Sequence, residues 1–339
     1  MSKFIKVSLI VIGSCILAGA ILFGIGFNLC GGVIDFRYDL NRREIVSSGE
    51  KYVLELTELD DFKDIEADLS IGDLKFIKSD KFAIEYEYYD VEPEFSVDNG
   101  KLTVKTADQF FNLSFDFSVS NRSYMKIYYP DGAEFNDLSV DLSCGNLNID
   151  GMNVSGKSVF DNSCGNVTVN NYSAKDVEID LSSGNFSSDT MTVDTIISDN
   201  SCGDIIFNNL TCNTSFESIN SCGLISVKDS VLNGKVTFDN SCGNVEMSGV
   251  SVIGNLDADL SCGDLNLQDC MVEGTIIGDL SCGDAEIGLT GNNNYGFNLE
   301  TSLGDVEVDG TKSGDEYSSS GDNMITIDNS CGDIHIETK

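Results

Sequence analysis

Cysteine is the residue type whose repetition first suggests chemistry in this sequence. Eight of the twelve cysteines follow a Ser and precede a Gly, as in DNSCGNVTV at 161–169 and DLSCGDLNL at 259–267. Thiols in a recurrent setting can form disulfides, bind soft metal ions or exchange electrons. The motif cysteines are Cys144, Cys164, Cys202, Cys222, Cys242, Cys262, Cys282 and Cys331.

The position of these cysteines favours a structural role. Ser183 and Leu303 occupy the same position in two repeats, so the position accepts small or semi-apolar residues, and a free Cys behaves as a small hydrophobe. We therefore expect a reduced ladder in the core at the five consecutive motifs. Its members are Cys202, Cys222, Cys242, Cys262 and Cys282.

Two other uses of the cysteines stay open. Residues stacked on adjacent strands lie within disulfide range, although five neighbours leave one unpaired and Cys331 would stack on Leu303. A metal or redox site is less favoured, because zinc sites gather Cys and His ligands and His335 is the one histidine of the chain.

Acidic residues recur beside the motif, four residues before its glycine and one residue after it. Stacked carboxylates raise one another's pKa or recruit cations, and oxygen-rich edges suit Ca²⁺. We favour a solvated polar edge with Asx-type turn bonds and keep Ca²⁺ as the alternative; no other cofactor is expected. The candidate Ca²⁺ ligands are Asp259, Asp264, Asp279 and Asp284.

The motif glycines define the architecture that must position these groups. They recur at steps of 19 to 21 residues, with a final step of 28. A fixed period near 20 is typical of a solenoid. The ten glycines are Gly145, Gly165, Gly184, Gly203, Gly223, Gly243, Gly263, Gly283, Gly304 and Gly332.

Each period has the pattern of three short β-strands. Apolar residues fall seven and five positions before the glycine and two and four positions after it, as Val245 and Met247 illustrate, and a third run follows. Cys212 and Cys270 occupy inward positions of this pattern. The pattern predicts an all-β protein, a parallel β-solenoid (β-helix) of ~20-residue coils.

Two positions of the motif have a structural explanation. The inward parity shifts across the glycine, so the chain must turn a corner there, and Gly tolerates a positive φ. Three positions before the glycine, consecutive coils carry Asn, whose amides can donate and accept hydrogen bonds along the stack if they face inward. These residues are Asn200, Asn220 and Asn240.

Charge and residue content argue against several function classes. The chain has 56 acidic and 20 basic residues and a net charge of −36, which repels nucleic acid, so we expect no nucleic-acid partner. Glycoside hydrolysis needs one differentiated carboxylate pair, whereas these carboxylates repeat from coil to coil. Lyase chemistry uses an Arg or Lys as the base, and no Arg follows residue 140. We therefore expect no enzymatic activity.

The N-terminus carries a hydrophobic segment. Residues 7–27 contain no charged side chain, and Lys3 and Lys6 precede them. This length spans a bilayer, and the lysines predict a cytoplasmic N-terminus. We expect an uncleaved, single-pass anchor in the cell membrane with the bulk of the chain extracytoplasmic. Signal-peptide cleavage near Ala18–Ala20 and lipidation of Cys15 are the alternatives.

Composition divides the chain into five predicted parts. They are a cytoplasmic tip (1–6), a transmembrane anchor (7–29), a stalk (30–51), an N-terminal β cap with wider coils (52–135) and regular solenoid repeats (136–339). The insertion at 309–322 has a flexible composition. The last strand, at 333–339, is predicted to be an uncapped edge that can pair with a second copy or a partner.

The order of these features resembles a known family. A membrane segment leads to FKDIEADLSIGDLKFIKSD at 62–80, then to YMKIYYPDGAEFNDLSVDLSCGNLNI at 124–149 and the SxGD/N repeats. This arrangement is similar to the bacterial "putative adhesin" family, toastrack-type β-solenoids of a domain of unknown function, over about 52–339. The resemblance implies a surface-displayed solenoid without known catalysis, and members occur near cell-envelope stress systems. It supplies no active residues.

These observations favour an interaction module. The first hypothesis is cell-envelope sensing or scaffolding beside an envelope or membrane protein, because the short stalk keeps the solenoid close to the membrane. A surface adhesin that binds glycan or protein is the alternative. A carbohydrate-active β-helix enzyme is the second alternative and the least favoured. The oligomeric state is left open.

Overall fold

The computed structural model describes residues 51–89, 91–106, 123–291 and 293–339, together with the backbone of short strands at 36–39, 44–47 and 114–116. Every helix or strand assigned in these residues is a β-strand, which confirms the all-β prediction for them. The predicted anchor at 7–29 lies outside the described residues. Within the described ranges, no helix has the length and apolarity needed to cross a membrane.

The N-terminal strands make both antiparallel and parallel pairs. They are β1 (Phe36–Asp39), β2 (Glu44–Ser47), β3 (Lys51–Glu58), β4 (Asp64–Leu69), β5 (Asp73–Ser79), β6 (Ala83–Tyr89), β7 (Glu94–Asp98), β8 (Lys101–Lys105), β9 (Ser114–Asp116), β10 (Tyr124–Pro130) and β11 (Glu134–Phe135). Strand β6 pairs antiparallel with β3 and β10, and β7 pairs antiparallel with β8. Strands β4 and β5 form the first coil, which continues in parallel register into the repeats.

The regular coils follow, and each pairs in parallel with the next. Their strands are β12 (Leu138–Leu142), β13 (Leu147–Asp150), β14 (Asn153–Val154), β15 (Lys157–Asn162), β16 (Val167–Ser173), β17 (Asp176–Leu181), β18 (Phe186–Asn200), β19 (Ile205–Asn220), β20 (Ile225–Lys228), β21 (Val231–Asn233), β22 (Lys235–Cys242), β23 (Val245–Ser248), β24 (Ser251–Ile253), β25 (Leu256–Cys262), β26 (Leu265–Val272), β27 (Ile276–Leu280) and β28 (Ala285–Leu289). In-register pairs such as Val236 with Leu256 show that each residue lies beside its counterpart one coil away.

The core fills the interior of the stack from end to end. Alternate residues of the strands in the regular coils are buried, as the pattern of β22 shows, with Val236, Phe238 and Asn240 inside. Aromatic rings of successive coils lie side by side inside the stack; the centroid of Phe186 lies 5.1 Å from that of Phe207. Burial of these repeated apolar side chains is the main driving force for stacking.

The last coils do not stack in chain order. Their strands are β29 (Tyr295–Thr301), β30 (Val306–Val308), β31 (Thr311–Gly314), β32 (Glu316–Ser319), β33 (Asn323–Asn329) and β34 (Ile334–Thr338). Strand β33 lies between β27 and β29, and β34 lies between β28 and β30. The final coil is therefore inserted between the two coils that precede it in sequence.

Because the final coil is inserted in this way, the prediction that the last strand is an uncapped edge is wrong. Strand β34, which contains the sequence DIHIETK in part, pairs on both sides and is an interior strand. The insertion at 309–322 is not a loop alone, because β31 and β32 turn back antiparallel onto β30 and β29. Antiparallel strands thus cover both ends of the stack, which limits open-ended edge pairing.

Candidate functional site

The motif glycine forms the first corner of each coil. Nine of the ten motif glycines have a φ between +134° and +155°, a region that L side chains rarely adopt. A Cβ on Gly223 would lie 2.1 Å from the carbonyl oxygen of Gly203. The N–H of Gly203 in turn donates to the carbonyl of Cys222 at 2.9 Å. The corner therefore requires glycine both for its φ and for the close approach of stacked coils.

Asparagine side chains brace this corner from inside. Asn200, Asn220 and Asn240 are at most 1% exposed, as predicted for an inward position. The Nδ2 of Asn220 donates to the Gly203 carbonyl at 3.0 Å, and its Oδ1 accepts from the N–H of Cys222 at 3.3 Å. The amides thus bond the backbone of the corners rather than one another.

The prediction that the motif cysteines fill the core is wrong. Cys202, Cys222, Cys242, Cys262 and Cys282 are exposed, as are the other three motif cysteines. The chain bends at Ser-Cys-Gly directly after the inward Asn or Leu, so the inward–outward alternation ends before it reaches the cysteine. At Asn162, Asn200, Asn220 and Asn329, the Oδ1 accepts from the cysteine N–H, an Asx-type turn that stabilises this bend. The Oδ1 of Asn240 lacks this bond.

The two cysteines outside the motif behave differently. Cys212 and Cys270 are buried, in agreement with their predicted inward positions. Burial raises the pKa of both thiols above the usual value. These two thiols are therefore shielded, whereas the eight motif thiols face solvent.

The exposed cysteines form a column along one edge of the stack. Cys242 and Cys262 are in-register partners. The N–H of Gly283 donates to the Cys331 carbonyl and that of Gly332 to the Leu303 carbonyl, both at 3.0 Å. Cys331 therefore lies beside Cys282 as well as beside Leu303. The order of the motifs in the sequence predicted only Leu303 as its neighbour. In spatial order the column contains Cys144, Cys164, Ser183, Cys202, Cys222, Cys242, Cys262, Cys282, Cys331 and Leu303.

The residue after each glycine forms a second column, held by side-chain-to-backbone bonds. The Oδ1 of Asp264 accepts from the N–H of Asp284 at 2.9 Å, and the Oδ1 of Asp284 accepts from the N–H of Asp333 at 2.8 Å. Asp333 accepts from the N–H of Asp305 at 2.8 Å. These bonds match the polar edge that the sequence favours, although they run between coils rather than within one turn.

Carboxylates four residues before the glycine form a third column on the outer face. Asp141 lies in register between Asp68 and Asp161. Desolvation and the charge of Asp68 raise the pKa of Asp141. Desolvation and the charges of Asp141 and Asp180 raise the pKa of Asp161. Like-charge stacking thus has the predicted effect at this end of the column.

The predicted Ca²⁺ ligands do not form a shared site. Asp259 and Asp279 are exposed register partners on the strand face, whereas Asp264 already accepts the backbone N–H of Asp284. In the part of the chain that the structure describes, no three His, Cys, Asp or Glu side chains are placed to hold one metal ion. The described geometry therefore offers no support for the calcium alternative.

Each of several coils has a second corner, which the alternation of apolar and polar residues did not predict although the sequence marks it. Six residues after the motif glycine, successive coils carry a residue with a positive φ. Asn, Asp and Gly tolerate this conformation best, and six of these seven positions carry one of them. The residues are Gly151, Asn171, Thr190, Asn209, Asp229, Gly249 and Asp269.

The single histidine lies in a polar groove on the face after the glycine corner. His335 shares this groove with Glu246, Glu286 and Glu337. Its Nε2 lies 3.5 Å from an oxygen of Glu337, and its Nδ1 lies 3.9 Å from an oxygen of Glu307. The groove is a repeated strand face with carboxylates at several levels rather than a pocket built around one reacting group.

A comparison with protein-family models identifies the family of this chain. The sequence matches the Toastrack DUF4097 family over residues 62–337, and the chain belongs to that family. The expected resemblance is thereby confirmed. A search of curated proteins found no match.

Solved structures were also compared. One is a "putative cell adhesion protein" from Clostridium sporogenes, with 11% identity, a TM-score of 0.21, and coverage of 86% of this chain and 99% of that chain. Another is a "putative adhesin" from Parabacteroides distasonis, with 12% identity, a TM-score of 0.29, and coverage of 86% and 98%. A third, from Bacteroides fragilis, is a "putative adhesin" with 11% identity, a TM-score of 0.27, and coverage of 86% and 97%.

Proposed function

We propose that this Toastrack protein is a membrane-anchored, extracytoplasmic β-solenoid that serves as an interaction module in cell-envelope sensing or scaffolding. The observation that carries the proposal is the repeated lateral surface. Successive coils present the same polar positions level after level, while antiparallel strands cover both ends. A surface of this kind suits a partner that contacts several coils at once.

The charge of the lateral surface indicates the chemistry of the partner. From residue 140 onward the chain has only six lysines and no arginine, against many acidic residues. Exposed apolar side chains are spread over different strand faces, for example Ile197, Ile253 and Ile277. A partner protein with a basic extracytoplasmic surface fits this arrangement better than an apolar one.

The same surface supports a role without catalysis. Its carboxylates recur level after level, in register with one another or bonded to the backbone. A hydrolase needs one acid whose pKa differs from that of a second carboxylate at a defined separation. We therefore propose that the chain binds and does not catalyse.

The exposed cysteines allow a direct test of location. Intact cells carrying the full-length protein are treated with a membrane-impermeant phosphine and then with a membrane-impermeant maleimide. Extracytoplasmic display predicts labelling of the motif cysteines before lysis. The control is a variant with the eight motif cysteines changed to Ser, which should lose this label. Labelling that requires lysis would contradict the proposed location.

Photo-crosslinking tests the partner. A photoreactive amino acid is placed at Ile277, Glu286 or Ile253, one position on each strand face, with buried Leu265 as the control position. Sensing or scaffolding predicts a membrane protein among the products from at least one exposed position and none from Leu265. Products limited to wall glycans or external proteins would contradict it and favour the adhesin alternative.

A further inference from the structure

The stacking order changes the chemistry available to the motif cysteines. Cys331, which follows Cys282 by 49 positions in the chain, is its direct neighbour in space. The long run of the column therefore contains six cysteines, and Ser183 separates it from the pair formed by Cys144 and Cys164. Both groups are even in number, so every motif cysteine can have a partner.

Neighbouring cysteines in the column lie at the same position of adjacent coils. Cys242 and Cys262 are register partners on parallel strands, and the N–H of Gly283, next to Cys282, donates to the carbonyl of Cys331 at 3.0 Å. Adjacent parallel strands lie ~4.8 Å apart, which is inside the Cα separation that a disulfide accepts. All eight side chains are exposed to a solvent-borne oxidant.

We propose that the column is a dithiol–disulfide site in which adjacent coils pair completely. Six cysteines in a row can all pair with an adjacent cysteine in only one way, because each end cysteine has a single neighbour within the row. Within that row this pairing links Cys202 with Cys222, Cys242 with Cys262, and Cys282 with Cys331; Cys144 with Cys164 completes the set. The ligand class is a small or protein disulfide that exchanges with exposed thiols.

Each pairing is a balanced two-electron exchange. The thiolate of one cysteine attacks a sulfur of the oxidant XSSX, forms a mixed disulfide and releases one XS⁻. The neighbouring thiolate then attacks the cysteine sulfur of that mixed disulfide, forms the protein disulfide and releases the second XS⁻. The two protons lost by the cysteines pass to the two XS⁻ groups, so two protein thiols and XSSX become one protein disulfide and two XSH.

Geometry favours this chemistry over metal binding. A soft metal ion needs several ligands that converge on one point, whereas a column offers each thiol only its neighbours above and below. The described residues contain no such convergent group. Desolvation and the neighbouring thiols raise the pKa of Cys144 and Cys282, so exchange should accelerate as the pH rises. The proposed extracytoplasmic location would supply an oxidising compartment, but the chemistry does not depend on it.

The experiment uses purified full-length protein and oxidised glutathione. The protein is reduced, exchanged with oxidised glutathione, quenched in acid, alkylated and digested with a protease that cleaves at aspartate. Mass spectrometry should find the four predicted linked peptides and no alkylated motif cysteine. Glutathione mixed disulfides at most motif positions, linked peptides from non-adjacent coils, or links between two chains would overturn the proposal.

The number of cysteines provides a sharper check. Cys331→Ser leaves five neighbours, so one motif cysteine should remain alkylated or glutathionylated per chain. The double change Cys282→Ser with Cys331→Ser leaves four neighbours and should restore complete pairing. The matched control is Cys270→Ser, because Cys270 is buried and outside the column, and it should leave all four links intact. Complete pairing in the five-cysteine variant would contradict the proposal.

Discussion

The N-terminal strands and the regular coils differ in which charged side chains lie side by side. Between N-terminal strands, opposite charges meet: Lys105 on β8 lies 2.9 Å from Glu66 on the parallel strand β4, and Lys126 on β10 lies 2.7 Å from Glu85 on the antiparallel strand β6. In the coils, Asp161 has aspartate above and below it. The lysine hydrogen bonds lower the pKa of Glu66, whereas desolvation and like charges raise the pKa of Asp161.

This difference follows from whether neighbouring strands repeat the same sequence. Parallel, in-register coils place each residue beside its own copy, so a repeated acid meets acids and a repeated thiol meets thiols. Only groups that both donate and accept, or that bond the backbone, are satisfied by repetition; Asn220 and Asp264 do this. The charge pattern of the coils is therefore set mainly by repetition, apart from positions where a lysine interrupts it, as Lys235 does 3.0 Å from Asp257. In the N-terminal strands it is set by neighbours of different sequence.

The largest expected effect is at the stacked glycine corner. Gly223→Ala adds a Cβ 2.1 Å from the Gly203 carbonyl oxygen at a φ of +134°. We expect the free energy of unfolding to fall by ~3 kcal/mol or more, from backbone strain and overpacking. Urea unfolding measures this change.

The matched control is a glycine of the N-terminal region. Gly132 has a φ of +79°, but no atom lies within 4 Å of its would-be Cβ. Gly132→Ala should therefore cost only about 1 kcal/mol, for its φ alone. Equal losses in the two variants would show that stacking does not constrain the corner.

A smaller effect is expected at the inward asparagine. Asn220→Ala removes two corner hydrogen bonds and leaves a cavity, which should lower the free energy of unfolding by about 2 kcal/mol. Asn220→Leu should cost less than about 1 kcal/mol, because Leu181 and Leu260 fill the same position in other coils. Chemical denaturation compares the two variants, and an equal cost for Leu and Ala would mean that hydrogen bonds alone hold the corner.

The carboxylate column predicts an unusual pH dependence. The folded-state pKa of Asp161 is raised above the ordinary value of 3.8 by desolvation and by the charges of Asp141 and Asp180, so the folded state binds the proton more tightly than the unfolded state. Stability should therefore fall as the pH rises from 3.8 through the folded pKa. Asp161→Asn should raise the Tm above this window and lose its advantage below it. A lower Tm for Asp161→Asn at neutral pH would contradict like-charge stacking.

The smallest effect, with the opposite sign, is expected at Glu66. Its folded pKa is lowered from 4.5 by Lys101 and Lys105, so its contribution is complete above 4.5 and lost as the pH falls through the folded pKa. Glu66→Gln should cost less than about 1 kcal/mol at neutral pH, since the pair is partly exposed. Thermal melts at low and high salt check this, because screening should remove the difference; a cost unchanged by salt would show that the ion pairs are not its source.

The repeating spacing predicts the coil but not all of its chemistry. The period, the glycine corner and the inward asparagines follow from alternation. The prediction for the cysteines is wrong because alternation was extended through the bend at Ser-Cys-Gly, which is present whether Asn or Leu precedes it. Nor does periodicity predict the insertion of the last coil. It gives a residue's phase within a coil but not its level in the stack, and the polar segment at 309–322 has no strong strand pattern to reveal its antiparallel return.

The stacking order is the central claim, and two-cysteine variants test it most directly. In a background whose other motif cysteines are Ser, one variant keeps Cys282 and Cys331, and the other combines Cys282 with Leu303→Cys. Disulfide formation is followed by mass spectrometry after oxidised glutathione. The account predicts a rapid internal link between Cys282 and Cys331 and none in the second variant, because the inserted coil separates its two cysteines. A link in the second variant without one in the first would show that the coils stack in chain order.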